Sequence, residues 1–107
     1  MNQGNPMSLE ERVAVLEKRL APLEGAEAIR NLKSRYAAFC DDNYNPDGIA
    51  DLFTKDAVWE SKGLGRYEGR KAIREFFIRA SGIFTFAIHY SLNAEIHVDG
   101  DTARAQW

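Results

Sequence analysis

The spacing of apolar residues changes along this sequence, and that change restricts the fold class. From Phe84 to Val98 the chain is rich in β-branched and aromatic residues, and Asp99-Gly100 predicts a tight turn into a returning strand from Thr102 to Trp107. Earlier, apolar residues recur every three or four positions, as on one helix face: Leu9, Val13, Leu16, Leu20 and Leu23, then Ile29, Leu32, Tyr36 and Phe39. Helices followed by antiparallel strands indicate an α+β fold.

Several local signals set the expected element boundaries. Ser8 with Glu11 forms a capping box that should begin the first helix. Because Pro22 and Gly25 interrupt the periodic run, we predict two helices, near 8–21 and 25–40. The middle of the chain should contain a short helix capped by Asp47, a strand at 56–60, a hairpin loop at 62–69 and a helix ending at Gly82.

Size and composition exclude several classes of protein. A chain of 107 residues predicts one domain. A net charge of −2 argues against a nucleic-acid partner, and a single cysteine excludes an internal disulfide framework. No apolar stretch is long enough for a membrane span, and no secretory signal is visible, so we expect a cytoplasmic protein without a membrane partner.

The first apolar run forms a narrow stripe, here called the seam: Leu9, Val13, Leu16, Leu20 and Leu23. A seam of this kind is narrower than the face of a core helix, so it should pack on its own domain or on a neighbouring subunit. We therefore expect residues 1–25 to be a tail and an amphipathic oligomerisation helix, residues 26–107 to form the domain, and the protein to be a homo-oligomer, either dimer or trimer.

Three motifs have structural explanations that we prefer to functional ones. The glycines between Gly63 and Gly69 fit neither a dinucleotide nor a P-loop pattern, and they favour a hairpin turn. On one continuous strand His89 and His97 would lie roughly 26 Å apart, so we predict no metal site. Cys40 could pair with a histidine as a nucleophile, but a cysteine at a helix end beside apolar residues is more often simply packed.

Asp41 and Asp42 follow the second predicted helix, which is an unusual place for two acids. The helix dipole disfavours carboxylates at a helix C-terminus. Such a carboxylate can serve in acid–base chemistry. Alternatively, both residues simply begin an Asx turn in solvent.

Several segments resemble SnoaL-like domains, whose cone-shaped α+β barrel is shared with nuclear transport factor-like proteins: Glu27–Leu32 with Tyr36 and Asp41, Ile49–Phe53 with Asp56–Trp59, Gly65–Ile73, and Ile88–Tyr90. The resemblance spans residues 26–107. It implies a curved antiparallel sheet packed on N-terminal helices. Because the family's sheet continues through further strands, it also implies a domain that is incomplete at its C-terminal end.

Within this family the sequence is most similar to the bile-acid 7α-dehydratase and hexachlorocyclohexane dehydrochlorinase groups. Those enzymes abstract a proton with a histidine–aspartate dyad. The resemblance implies that His89, on a strand, is the base and that Asp41 orients it, with Asp42 as the second choice because the loop carries one extra residue. It further implies that Tyr36 and Trp59 shape the substrate pocket.

The resemblance thus implies a cofactor-independent lyase or isomerase of the dehydratase type, acting on a small hydrophobic cyclic or steroid-like molecule. The fold also hosts proteins without catalysis. The alternative is therefore a non-catalytic module, on the same fold, that binds a small molecule or serves in assembly.

Overall fold

The computed structural model describes residues 6–84 and 86–107. Residues 1–5, which belong to the predicted tail, and Thr85 lie outside the described residues. Three helices and four strands follow one another in the described chain: α1 (Leu9–Asp41), α2 (Pro46–Ala50), β1 (Val58–Ser61), β2 (Gly65–Glu68), α3 (Arg70–Ile83), β3 (Glu95–Asp99) and β4 (Thr102–Gln106). The prediction of an α+β fold is confirmed.

Helix α1 is continuous, so the prediction of two helices separated at Pro22 and Gly25 is wrong. It runs for 33 residues with Pro22 inside it. Proline removes one backbone donor but has a helical φ, and the flanking Ala21, Leu23 and Glu24 are strong helix formers. The predicted start is confirmed, because the Glu11 amide donates to Ser8 Oγ at 3.1 Å.

The chain divides into two units, one of which holds α1 up to Arg30 with residues 93–107. In this unit β3 and β4 pair antiparallel from Glu95 opposite Gln106 to Asp99 opposite Thr102, which confirms the predicted Asp99-Gly100 turn. The predicted extended run from Phe84 is too long, because β3 begins only at Glu95. Asn93 has a φ of 55°, which is incompatible with a pleated strand.

The second unit, Asn31–Leu92, contains the end of α1, then α2, β1, β2 and α3. The predicted loop at 62–69 is corrected, because its second half is strand β2, paired antiparallel with β1 from Val58 opposite Glu68 to Ser61 opposite Gly65. The predicted Asp47 cap is also wrong. Asn45 caps α2 by accepting a hydrogen bond from the Gly48 amide at 3.0 Å, because Pro46 occupies the first helical position.

The core of the second unit is built on one face of α3. Ile73, Phe76, Phe77 and Ala80 are buried at spacings of three, four and seven, as expected of an amphipathic helix. They pack with buried residues from the end of α1, the following turn and α2, namely Cys40, Tyr44 and Ile49. This core holds the end of α1 beside the segment that follows α3.

The strands of the described residues form two separate two-stranded sheets, β1–β2 and β3–β4, and they do not close a barrel. Among those same residues, no helix combines the length and the apolar character that crossing a bilayer requires.

Candidate active site

Asp41 is the last residue of α1, and the local backbone turns sharply just after it. Asn43 and Tyr44 both have positive φ, 50° and 53°. This left-handed conformation is uncommon outside glycine, and two such residues in succession reverse the chain. The Tyr44 amide donates to the Cys40 carbonyl at 3.1 Å and thereby satisfies an otherwise unpaired group at the helix end.

The structure brings His89 and Asp41 together. Nδ1 of the His89 ring lies 2.8 Å from Asp41 Oδ1, and the His89 backbone amide donates to the same oxygen at 2.8 Å. Because an ionised carboxylate can only accept hydrogen bonds, Nδ1 is the ring nitrogen that carries the hydrogen. In the neutral ring Nε2 therefore keeps its lone pair.

His89 does not lie on a strand, contrary to what the resemblance implied. It belongs to the segment before β3, which has no regular secondary structure and pairs with no strand of the described chain. Its backbone amide, having no strand partner, donates to the Asp41 carboxylate. About a third of each side chain in the pair remains exposed, 33% for His89 and 37% for Asp41.

Asp42 points elsewhere. Its carboxylate accepts a hydrogen bond from the Asn45 side-chain amide at 3.3 Å, within the exposed turn after α1. The structure thus brings the first of the two acids to His89 and leaves the second in the exposed turn after α1.

Tyr44 is a site residue that the sequence interpretation missed. Its hydroxyl lies 3.3 Å from His89 Nε2, and the two rings meet edge to face with centroids 5.5 Å apart. Tyr44 is 8% exposed. Burial is the main cause that raises the pKa of its hydroxyl, and the nearby Cys40 and Asp41 raise this pKa further. A large aromatic residue within the polar run 41–47 was the available signal, because such turns rarely need one.

Tyr36 and Trp59 contact each other. The Trp59 indole N–H donates to the Tyr36 hydroxyl at 3.1 Å. Both pack against the core, where the Trp59 ring lies 5.5 Å from that of Phe77. Burial, followed by the neighbouring Cys40, raises the pKa of Tyr36, which therefore stays protonated at neutral pH.

Cys40 is buried, with 2% of its surface exposed. Burial raises the pKa of its thiol from 9.0 to about 11, although a hydrogen bond from Tyr36 acts in the opposite direction. A thiol with a raised pKa is a poor nucleophile at neutral pH. The burial of Cys40 and its raised pKa therefore fit a packed core residue better than a nucleophile.

A cavity of about 180 Å³ adjoins the pair. Asp41 and Tyr44 line it on the helix side, and Phe84, Phe86 and Ala87 line it on the other. Tyr36 and Trp59 are not among the described residues that line this cavity.

His97 does not join this site. It lies in β3 with Nε2 3.0 Å from Glu95 Oε1, on an exposed strand of the first unit. Nowhere in residues 6–84 and 86–107 do three His, Cys, Asp or Glu side chains cluster in a way that could hold a metal ion.

Comparison with known families agrees with this organisation. The model of the SnoaL-like domain matches residues 21–107, which is most of the chain. That family includes cofactor-independent isomerases and lyases as well as ligand-binding modules, its members bind small hydrophobic ligands, and they often form oligomers. With its α+β fold and a family match over that length, the chain belongs to the SnoaL-like domain family, within the nuclear transport factor-like superfamily.

Proposed function

We propose that this chain is a cofactor-independent lyase or isomerase that abstracts a proton from a small hydrophobic cyclic or steroid-like molecule. His89 is the base and Asp41 orients it. The observation that supports this proposal is the 2.8 Å contact of His89 Nδ1 with Asp41 Oδ1, beside a cavity that Asp41 and Tyr44 line. A carboxylate on one ring nitrogen directs the lone pair of the other towards a substrate.

Asp41 has two tasks in this mechanism. It holds the neutral imidazole in the tautomer that has its lone pair on Nε2. When Nε2 takes a proton, the carboxylate stabilises the resulting imidazolium, as in other histidine–aspartate pairs. Its second hydrogen bond, from the His89 backbone amide at 2.8 Å, limits movement of the residue that carries the ring.

For a dehydratase or dehydrohalogenase reaction the atoms balance without a cofactor. Nε2 of His89 takes the proton of a C–H bond, and the electron pair of that bond forms the new C=C bond. The bond from the adjacent carbon to the leaving group then breaks, and halide or hydroxide departs. A departing hydroxide takes up a proton and leaves as water.

Tyr44 supplies a proton donor at the reacting nitrogen. Its hydroxyl lies 3.3 Å from Nε2, so a substrate C–H must displace this contact to reach the base. The raised pKa keeps the hydroxyl protonated, and it can then donate to the leaving group. We assign to Tyr36 and Trp59 the apolar wall behind Tyr44, since Trp59 and Tyr44 both contact the Phe77 ring.

The test is turnover of a panel of hydroxylated and halogenated cyclic molecules, followed by alkene absorbance, halide release and exchange of substrate C–H in D₂O. We expect product or exchange with at least one compound, and we expect His89→Ala to abolish both signals. A panel without turnover or exchange, or a fully active His89→Ala variant, would contradict the proposal.

Two observations favour a second candidate, a binding module without catalysis. The Tyr44 hydroxyl lies at hydrogen-bond distance from His89 Nε2, the nitrogen that would act as the base. The cavity of about 180 Å³ is also smaller than the ~300 Å³ at which typical ligand sites begin. In that case the side chains of Asp41, His89 and Tyr44 would form a hydrogen-bond network that only stabilises the fold. Binding of a panel compound without turnover, together with a lower melting temperature but unchanged binding in His89→Ala, would support this candidate.

A further inference from the structure

We propose that the seam forms a parallel, in-register, two-stranded coiled coil with a second copy of this chain. The seam is the stripe of Leu9, Val13, Leu16, Leu20 and Leu23 on α1. The proposal concerns how two copies associate, and it does not depend on the proposed activity.

The seam is apolar and yet open to solvent. Leu9 is 73% exposed, Leu16 60% and Leu23 68%, while Val13 and Leu20 are 44% and 50% exposed. Their spacing of four and three residues assigns Leu9, Leu16 and Leu23 to heptad position d and Val13 and Leu20 to position a. An exposed row of this kind is stabilised when a second helix covers it.

The chain's own hairpin contacts a different side of this part of α1. A Cβ atom placed on Gly25 would lie 3.2 Å from Val98 Cγ1 of β3, so the hairpin approaches the helix closely there. Gly25 falls at heptad position f, which faces away from the a and d positions. Within its unit, the hairpin therefore leaves the seam open for a partner.

The charges beside the seam select the orientation of the partner. Position e carries Glu10, Glu17 and Glu24, and position g carries Arg12 and Arg19. In a parallel pair, position g of one helix meets position e of the next heptad on the other. Arg12 then faces Glu17 of the second copy, and Arg19 faces Glu24.

An antiparallel pair would place like charges together. There, position g meets g and position e meets e, so arginine would face arginine and glutamate would face glutamate. In the described part of a single chain, these charged side chains have no ion-pair partners. A parallel second copy supplies them.

The apolar pattern also defines the register and the length of the pair. The seam has leucine at every d position and valine at one of its two a positions, Val13, and this combination favours two strands. The next a and d positions are Glu27 and Arg30, which form an ion pair with each other at 3.3 Å. The seam therefore ends at Leu23, and among parallel alignments only the in-register one pairs all five of its residues.

The first test is the mass of the whole chain in solution by light scattering. We expect twice the 12.1 kDa of one chain. Leu16→Glu should reduce the mass to that of one chain without changing the circular dichroism of the fold, because Leu16 is exposed in the single chain. The matched control is Val15→Glu, an exposed apolar residue at outward position c, which should remain a dimer.

The second test measures orientation through a disulfide. In a parallel pair Leu9→Cys places two thiols opposite each other, so oxidation should link the chains at least tenfold faster than in the control Val15→Cys. In an antiparallel pair residue 9 would face residue 23, roughly 21 Å along the helix. Equal rates for the two variants would overturn the parallel arrangement.

The third test exchanges the charges. Arg12→Glu with Arg19→Glu, and separately Glu17→Arg with Glu24→Arg, should each weaken self-association, and mixing the two variants should restore a dimer. A monomeric wild-type chain, a dimer that survives Leu16→Glu, or charge variants that self-associate like the wild type would each overturn the proposal. A monomeric wild type would mean that another helix, or none, covers the seam.

Discussion

Asp41 Oδ1 accepts two hydrogen bonds of 2.8 Å, one from the backbone N–H of His89 and one from its ring Nδ1–H. The two residues are 48 positions apart, so this contact joins the end of α1 to the segment after α3. Because the carboxylate holds the ring and the backbone together, any change at Asp41 alters both the tautomer and the placement of His89.

We expect Asp41→Asn to reduce turnover by about 10⁴-fold, because an amide facing Nδ1 stabilises the wrong tautomer of His89. The matched control is Asp42→Asn, whose side chain contacts Asn45 and should leave turnover almost unchanged. The measurement is kcat/KM on an active compound from the panel. If the change at Asp42 were the damaging one, the assignment of the dyad would be wrong by one residue.

Tyr44→Phe should lower kcat by about 10²-fold, because it removes the proton donor beside Nε2. The ring remains, so its stacking on Phe77, with centroids 6.0 Å apart, should keep the fold intact. Tyr90→Phe is the control, since Tyr90 lies next to His89 in sequence but is 78% exposed. Faster turnover in Tyr44→Phe would show instead that the hydroxyl obstructs the base.

Cys40 should react slowly with thiol reagents in the folded protein at pH 8, because burial raises its pKa from 9.0 to about 11. The unfolded chain loses this proton at lower pH than the folded chain does. The contribution of the Cys40 thiol to the free energy of unfolding is therefore fully present below about pH 9, and it is lost as pH rises towards about 11.

Urea unfolding at several pH values measures this loss. Cys40→Ser should show a smaller decrease in stability over the same interval. Some decrease remains, because burial also raises the pKa of Tyr36 and Tyr44. Identical pH dependence in the variant and the wild type, or rapid thiol modification of the folded chain, would contradict the buried placement of Cys40.

Phe77→Ala should reduce the free energy of unfolding by about 3–5 kcal/mol, because Phe77 is 1% exposed at the centre of the core. Ile78→Ala, at the adjacent and 46% exposed position, should change it by only about 0.5 kcal/mol. Urea denaturation monitored by tryptophan fluorescence measures both. Equal costs would mean that α3 presents a different face to the core.

Features that depend on residues close together in the chain could be predicted from the sequence. The buried face of α3 follows from the spacing of Ile73, Phe76, Phe77 and Ala80, and the β3–β4 turn follows from Asp99-Gly100. The start of α1 follows from Ser8 and Glu11. Caps, turns and helix faces depend on neighbours within a few residues, so local chemistry is enough to predict them.

The contact of Asp41 rather than Asp42 with His89, and the presence of Tyr44 beside them, depend on packing between distant parts of the chain. The choice depends on the direction of the chain after α1, which the left-handed conformations of Asn43 and Tyr44 establish. Asparagine often adopts this conformation, but a bulky residue such as Tyr44 rarely does, so the sequence carries no signal for it at Tyr44. The core that buries Tyr44 against Phe77 stabilises the turn, and that packing joins residues far apart in the chain.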